Sequence, residues 1–290
     1  MRCAGLPRRD VVLGLGALAG TIIHPGIALA ASEDIKFGLT PVFLTNDLEL
    51  LARLKTYLER ATGRPVRLVT RRTYQEITSL LISGQLDAAW ICGFPLVANP
   101  QLALVAVPIW RGKPLYQSYL IAGRDRLAGS LDDLEGDVHA FSDPDSNSGW
   151  LVTAAALAAR NRTPERFFRQ TIVTWGHRNV IRAVASGLAE SGSVDGYVYE
   201  VMRETDPDLV GETRIVRDSE WLGFPPVASA AAIVQEPRAR LIRAALLSMA
   251  DDEDGREVLR LLRLDGFREE KPELFDAIRA KVALVRGAAG

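Results

Sequence analysis

The run Phe141-Ser142-Asp143-Pro144-Asp145-Ser146-Asn147-Ser148-Gly149-Trp150 holds the residues of this 290-residue chain best suited to chemistry. It lies between a strand-like stretch and an alanine-rich helix, Leu151 to Arg160. Small polar residues there place hydroxyls and free backbone N–H groups at a helix N-terminus, where first-turn donors lack partners and the dipole is positive. Such an end favours an oxyanion. The competing reading is local: Ser146 or Ser148 serves only as the helix N-cap, a common use of Ser, Asn and Asp.

The elements that must position this run alternate strand and helix. Ile35 to Leu39 reads as a strand, followed by a helix from about Asn46 to Ala61 with Leu48, Leu51, Leu54 and Leu58 on one face and Gly63 as its stop. Pro65 to Val69 is a second strand, Thr73-Tyr74-Gln75-Glu76 has the spacing of a capping box, and Asp87 to Cys92 reads as a buried strand. This order predicts an α/β fold with mostly parallel sheets, in which ligands bind in loops at the carboxyl ends of strands. The loops after Leu39, Val69 and Ile91 are therefore of interest. A second unit spans about 124–220, with strands Val138–Phe141, Thr171–Trp175, Val194–Val198 and Arg214–Val216 and helices Trp150–Arg160 and His177–Ser186. The chain then returns through a strand at Val227–Val234 and helices over 237–250, 254–262 and 272–285.

Residues 1–31 predict an export leader. Arg8-Arg9 precede the uncharged stretch Val11 to Ile23, and Ala28-Leu29-Ala30 supplies a small-x-small pattern, so cleavage is expected near Ala30 or Ala31. The paired arginines suit the twin-arginine route, with Sec export as the alternative. Thirteen apolar residues fall short of the roughly 20 that a spanning helix needs, so no stable membrane insertion is expected. The chain has 35 basic and 36 acidic residues, and loss of Arg2, Arg8, Arg9 and Asp10 with the leader brings the net charge to −3. No basic field for nucleic acid results. Cys3 would leave with the leader, so Cys92 remains as a single thiol and no internal disulfide can form.

Enzyme chemistry finds little support. His139 and His177 would be the mature protein's histidines, and no Gly-x-Ser-x-Gly, His-Glu-x-x-His or Cys-x-x-Cys motif accompanies them. The acidic run Asp251 to Asp254 flanks helix starts and reads as a solvated, dipole-matching segment rather than a calcium site. Neither a metal nor a cofactor is expected.

Four segments carry a family resemblance: Gly84 to Trp90, Tyr116 to Ile121, Asp143 to Trp150 and Gly176-His177-Arg178-Asn179. In them the chain resembles the PhnD-like substrate-binding proteins of phosphate, phosphite and phosphonate importers, two-lobed receptors of the type II periplasmic class. The resemblance implies an export leader at 1–31, a first lobe from 32–122 with 226–290, a second lobe from 123–225, and a hinge between them. It implies a periplasmic receptor, acting as a monomer, that captures a small oxyanion between the lobes and delivers it to an ABC permease. Ser146, Asn147 and Ser148 would grip the oxyanion head. His177 would stand near it, as a neutral donor or as a cation near pH 6.5, with a plain helix-start histidine as the alternative. Tyr74 and Tyr116 match aromatic positions of the first lobe's cleft wall, although Tyr74 could equally pack beneath a loop. Thr40 and Gly93 complete the expected set.

Two departures from that family pattern carry information. Relatives that take aminoalkyl phosphonates hold the ammonium with carboxylates, whereas the return segment here reads Leu222-Gly223-Phe224-Pro225-Pro226. Asp195 is read as a structural residue and Glu200 as a distant candidate, so a cationic tail is disfavoured. Cys92 stands where the importers often present an aromatic residue, and a thiol there resembles the AioX-type arsenite sensors that report to a membrane histidine kinase. Cys92 is thus either a thiolate ligand for a soft centre or a packed, small apolar residue.

Overall fold

The computed structural model describes residues 34–41 and 48–288. The expected leader and its cleavage point, and the start of the first expected helix at Asn46, lie outside the described residues. The chain opens with β1 (Ile35–Leu39), α1 (Leu48–Thr62), β2 (Val66–Thr70), α2 (Tyr74–Ile82), β3 (Ala88–Trp90), α3 (Gly93–Ala98) and β4 (Leu102–Ile109). It crosses through β5 (Leu115–Tyr116) to β6 (Ser118–Gly123), β7 (Val138–Phe141), α4 (Val152–Ala158), α5 (Pro164–Phe167) and β8 (Gln170–Val173). There follow α6 (His177–Ala185), β9 (Ser191–Asp195), α7 (Gly196–Thr205), α8 (Pro207–Gly211) and β10 (Thr213–Asp218). It returns by β11 (Leu222–Gly223) to β12 (Val227–Ala230), α9 (Pro237–Leu247), α10 (Glu253–Leu262), β13 (Gly266–Arg268) and α11 (Asp276–Ala288).

These strands build a six-stranded sheet, ordered β13-β4-β12-β3-β1-β2, and a five-stranded sheet, ordered β10-β6-β9-β7-β8. Both are mixed rather than mostly parallel. The βαβ segments give parallel neighbours, β1 with β2 and β3, and β7 with β8 and β9. The strands by which the chain leaves and re-enters each sheet are antiparallel: β12 against β3 and β4, and β6 against β9 and β10. β6 pairs in the second sheet, so the chain changes sheets before Ser118, a few residues ahead of the expected division at 122. The two crossings pair with each other, Leu222 opposite Tyr116.

Local chemistry explains most boundaries. α1 buries Leu50, Leu54, Tyr57 and Leu58, and Gly63, at φ +64°, ends it in the left-handed conformation. Thr73 and Glu76 form the reciprocal capping box of α2 that their spacing predicts. Asp252 caps α10 by accepting from Gly255 N at 2.9 Å, and it and Asp254 pair with Arg60, which accounts for the acidic run. One expectation is displaced: the strand expected at Val194–Val198 runs instead over Ser191–Asp195, and residues 196–198 are helical. β9 stops at Asp195, whose Oδ1 accepts from Val198 N at 3.2 Å and starts α7. The β-branched and aromatic residues that suggest a strand are instead buried in a helix, where tertiary packing overrides propensity.

The core is continuous from one sheet to the other. Trp90, Tyr116, Leu151, Val180, Tyr197 and Phe224 share one buried cluster. Burying each such large apolar side chain contributes roughly 1.5–3 kcal/mol. Tyr197 Oη of α7 donates to Leu262 O of α10 at 2.6 Å, and Arg111, in the turn after β4, meets Glu200 of α7 at 3.3 Å. α11 packs on α3 and α4 and so touches both halves of the described chain.

Candidate ligand-binding site

The run Ser142–Trp150 does not enter its helix in the ordinary way. Residues Asn147–Leu151 form a π-helical turn that leads into α4, a wide turn often found at functional sites. Ser146 caps it, its Oγ accepting from Gly149 N at 2.9 Å. Gly149 is dictated by crowding, because a Cβ there would lie 1.8 Å from Ser142 Oγ and 2.9 Å from His177 Cε1. The turn therefore presses against the strand end behind it and against the start of α6.

Residues from the first part of the chain, Tyr74 at the start of α2, Cys92 ahead of α3 and Tyr116 of β5, close over this turn. Asn147 Nδ2 donates to Tyr116 Oη at 2.7 Å, and Asn147 N donates to Cys92 Sγ at 3.2 Å. Tyr74 N donates to Asp143 Oδ2 at 3.1 Å, and Tyr74 Oη lies 3.3 Å from His177 Nε2. At the edge, Arg72 stacks over Trp175 at 5.6 Å. Trp175, at φ +58°, holds a conformation uncommon for a large side chain, immediately before Gly176 and His177. Tyr74, Cys92, Tyr116, Ser146, Asn147, Ser148 and His177 are thus brought to one buried seam. Thr40 and Gly93 have other engagements: Thr40 Oγ1 donates to Trp90 O at 3.1 Å, and a Cβ on Gly93 would lie 2.7 Å from Ile278 Cδ1 of α11.

The polar groups of the seam are not all satisfied. Ser142 Oγ, Asn147 Oδ1, Ser148 Oγ and Asp195 Oδ2 are buried without a hydrogen-bond partner in the protein. Ser148 Oγ lies close to the Asp195 carboxyl and the Tyr116 phenol without closing a bond of normal geometry to either. Leaving a buried polar atom unpaired costs about 1–3 kcal/mol, so such a cluster points to a polar ligand that supplies the partners. A cavity of about 320 Å³ lined by Leu131, Val152, Thr153, Arg160, Asp218 and Lys281 is elsewhere and holds none of these atoms.

Burial favours one of the two alternatives at each of two residues. Burial pushes the His177 imidazole down to about 3, so the ring is neutral at physiological pH and does not act as a cation near pH 6.5. Asp195 N donates to His177 Nδ1 at 3.0 Å, which leaves the ring proton on Nε2, toward Tyr74. Burial likewise pushes the Cys92 thiol up to about 12. The thiol stays protonated, without the thiolate character on which the arsenite-sensor comparison depends. Arsenite should accordingly give no tryptophan-fluorescence change in the wild-type protein or in Cys92→Ser; a saturable wild-type response lost in the serine variant would reverse this conclusion.

His139 is also buried and pushed down to about 3, between Ser191 Oγ and Ser193 Oγ at 2.8 Å each. Both imidazoles have folded-state values below their unfolded value of about 6.5, so the unfolded chain binds more protons below that value. Their contribution to stability is fully present above about pH 6.5 and is lost as pH falls toward 3. Urea unfolding should show His139→Gln losing part of that acid sensitivity, and an unchanged slope would contradict the assignment.

Glu200, the distant candidate for an ammonium, is engaged by Arg111 and Arg203. Sequence reasoning missed Ser142 and Asp143 as members of the site, although both stand in the run it singled out. It set Asp195 aside as structural. The capping role is real, but its second carboxyl oxygen belongs to the unsatisfied cluster.

Two sheets joined by paired crossings give the chain the fold of the type II periplasmic binding proteins. The chain belongs to the family described as the phosphonate periplasmic substrate-binding protein of ABC transporters, whose profile matches residues 37–275. It is 26% identical over 216 residues to the phosphate-import protein PhnD of Mycolicibacterium smegmatis, covering 70% of this chain and 64% of that protein. A solved binding component of an ABC phosphonate transporter from Pseudomonas aeruginosa superposes with a TM-score of 0.81 at 20% identity, over 89% of this chain and 88% of that one. PhnD1 of Prochlorococcus marinus, solved with methylphosphonate, gives a TM-score of 0.78 at 14% identity, over 88% and 99%. Among the described residues no helix is long and apolar enough to cross a membrane, and no cluster of His, Cys, Asp and Glu could hold a metal ion.

Proposed function

We propose that this chain is the periplasmic receptor of an ABC importer and that it captures a small phosphorus oxyanion in the seam between its two sheets, without catalysis. The observation that carries the reading is the pair of unpartnered buried hydroxyls, Ser142 Oγ and Ser148 Oγ, donors available at a turn whose Asn147 side chain is held by Tyr116. Family membership and the two PhnD relatives support the same ligand class. The two lobes, divided at the crossings, close on the ligand by a hinge. The leader at 1–31 is cleaved near Ala30 or Ala31 on export, which N-terminal sequencing of the exported protein checks.

A thermal-shift panel of phosphate, phosphite, methylphosphonate and sulfate tests the reading. A ligand at 100 times its Kd adds about 2.7 kcal/mol of stability, so a phosphorus oxyanion should raise Tm by several degrees and sulfate by less. No shift with any phosphorus oxyanion would count against it.

The tail of the ligand is restricted as well. Phe224 is fully buried, Pro225 O accepts from Trp90 Nε1 at 2.8 Å, and Pro226 O accepts from Ile91 N at 2.9 Å, so the return segment is committed to the core. It offers no carboxylate. 2-Aminoethylphosphonate should therefore bind more weakly than methylphosphonate in matched calorimetric titrations, since a buried unpaired ammonium is strongly penalised. The reverse order would require an acidic partner for the ammonium.

A further inference from the structure

We propose that Asp195 holds one proton against the bound oxyanion through its Oδ2, which makes it the residue that selects protonatable oxyanions, phosphonates and their like, over sulfonates. This rests on the reading of the seam as an oxyanion site and names the discriminating group within it. Asp195 is 1% exposed, and its two oxygens have different surroundings. Oδ1 accepts from Val198 N and holds the start of α7, while Oδ2 is buried without a partner, and the carboxyl as a whole lies close to the Ser148 hydroxyl of the turn. A carboxylate aimed at an anion repels it, whereas a carboxyl and an anion that share one proton make a strong, charge-assisted hydrogen bond.

The surroundings keep that proton on this pair. Tyr74 of α2, Cys92 ahead of α3, Tyr116 of β5 and Tyr197 of α7 all feel the Asp195 charge, and each is held protonated by burial. His177 of α6 is neutral and accepts from the Asp195 backbone. Asp143 stands beyond Tyr74, and Arg178 and Arg263 act on Tyr197. Burial raises Asp195 itself to about 7, above its ordinary carboxyl range, so it changes charge near neutrality; burial raises Asp143 as well. The sign follows: the uncharged form prevails below about pH 7, and ionisation above it opposes an anion. A phosphonate can bring the proton on its own oxygen. A sulfonate cannot, and must draw it from solvent onto Asp195.

Methanesulfonate and methylphosphonate, titrated by calorimetry at pH 6, 7 and 8 in buffers of different ionisation heat, test this. The wild-type protein should bind methanesulfonate at pH 6, lose affinity toward tenfold per pH unit above pH 7, and take up about one proton per ligand at pH 8. Methylphosphonate should lose less over that interval. Asp195→Asn retains a good N-cap and should bind methanesulfonate with flat pH dependence and no proton uptake. The proposal is overturned if wild-type methanesulfonate binding takes up no proton at pH 8, if the Asn variant keeps the wild-type profile, or if methylphosphonate binds while methanesulfonate fails even at pH 6. The wild-type proton count stands without the variant. Failure of both anions to bind at pH 6 would instead defeat the functional reading on which the proposal rests.

Discussion

Ser148→Ala should lower methylphosphonate affinity at least tenfold while leaving Tm close to that of the wild type. Ser148 Oγ is buried and closes no hydrogen bond within the protein, so its removal takes little from the fold. A charge-assisted bond to an oxyanion is worth about 1.5–3 kcal/mol, and 1.4 kcal/mol is tenfold in affinity. Ser146→Ala should do the opposite. Its hydroxyl caps the π-helical turn through Gly149 N, so its loss should destabilise by about 1 kcal/mol. Calorimetry and thermal unfolding of the two variants read both effects. If Ser148→Ala proves unstable with undiminished affinity, the run is a helix cap and nothing more.

Gly149→Ala should be the most damaging single substitution in the site. Its Cβ would fall 1.8 Å from Ser142 Oγ and 2.7 Å from Ser142 Cβ, and 2.9 Å from the His177 ring. Ser142 Oγ can swing away by rotation, but Ser142 Cβ, fixed to the backbone, and the buried His177 ring have no such freedom. Overpacking of this kind costs about 1–3 kcal/mol and moves the backbone, here the backbone that presents Asn147 and Ser148. A fall in Tm together with loss of measurable methylphosphonate binding is expected. Ser142→Gly in the same chain should restore part of the stability by removing the nearest obstacle. A Gly149→Ala protein with wild-type Tm and affinity would mean that the turn does not approach β7 as closely as described.

What was legible in the sequence was local. β1 ends where its apolar run ends, α2 begins at the capping box, and α6 begins at His177, because each boundary is set by neighbouring residues. The run at 141–150 announced itself by composition. The contacts that make it a site did not: Cys92 and Asn147 are 55 positions apart, and Tyr74 and His177 are 103. The mixed character of the sheets was hidden for the same reason, since β12 and β6 acquire their antiparallel partners only through long-range crossings. Asp195 shows a further difficulty. A residue placed to cap a helix reads as structural, and only its second oxygen, buried without a partner in a carboxyl close to Ser148, gives it a second role. Cys92 and His177 were named from resemblance, and it is burial, invisible in a one-dimensional reading, that fixes their protonation.

The crystal structure of the protein with methylphosphonate tests the central claim most directly. Phosphonate oxygens are expected within hydrogen-bonding distance of Ser148 Oγ and Asp195 Oδ2, with Tyr74 of α2, Tyr116 of β5 and His177 of α6 closing the seam. A phosphonate bound outside the seam, for instance in the cavity lined by Thr153, Arg160 and Lys281, with Ser148 and Asp195 still unpartnered, would contradict it.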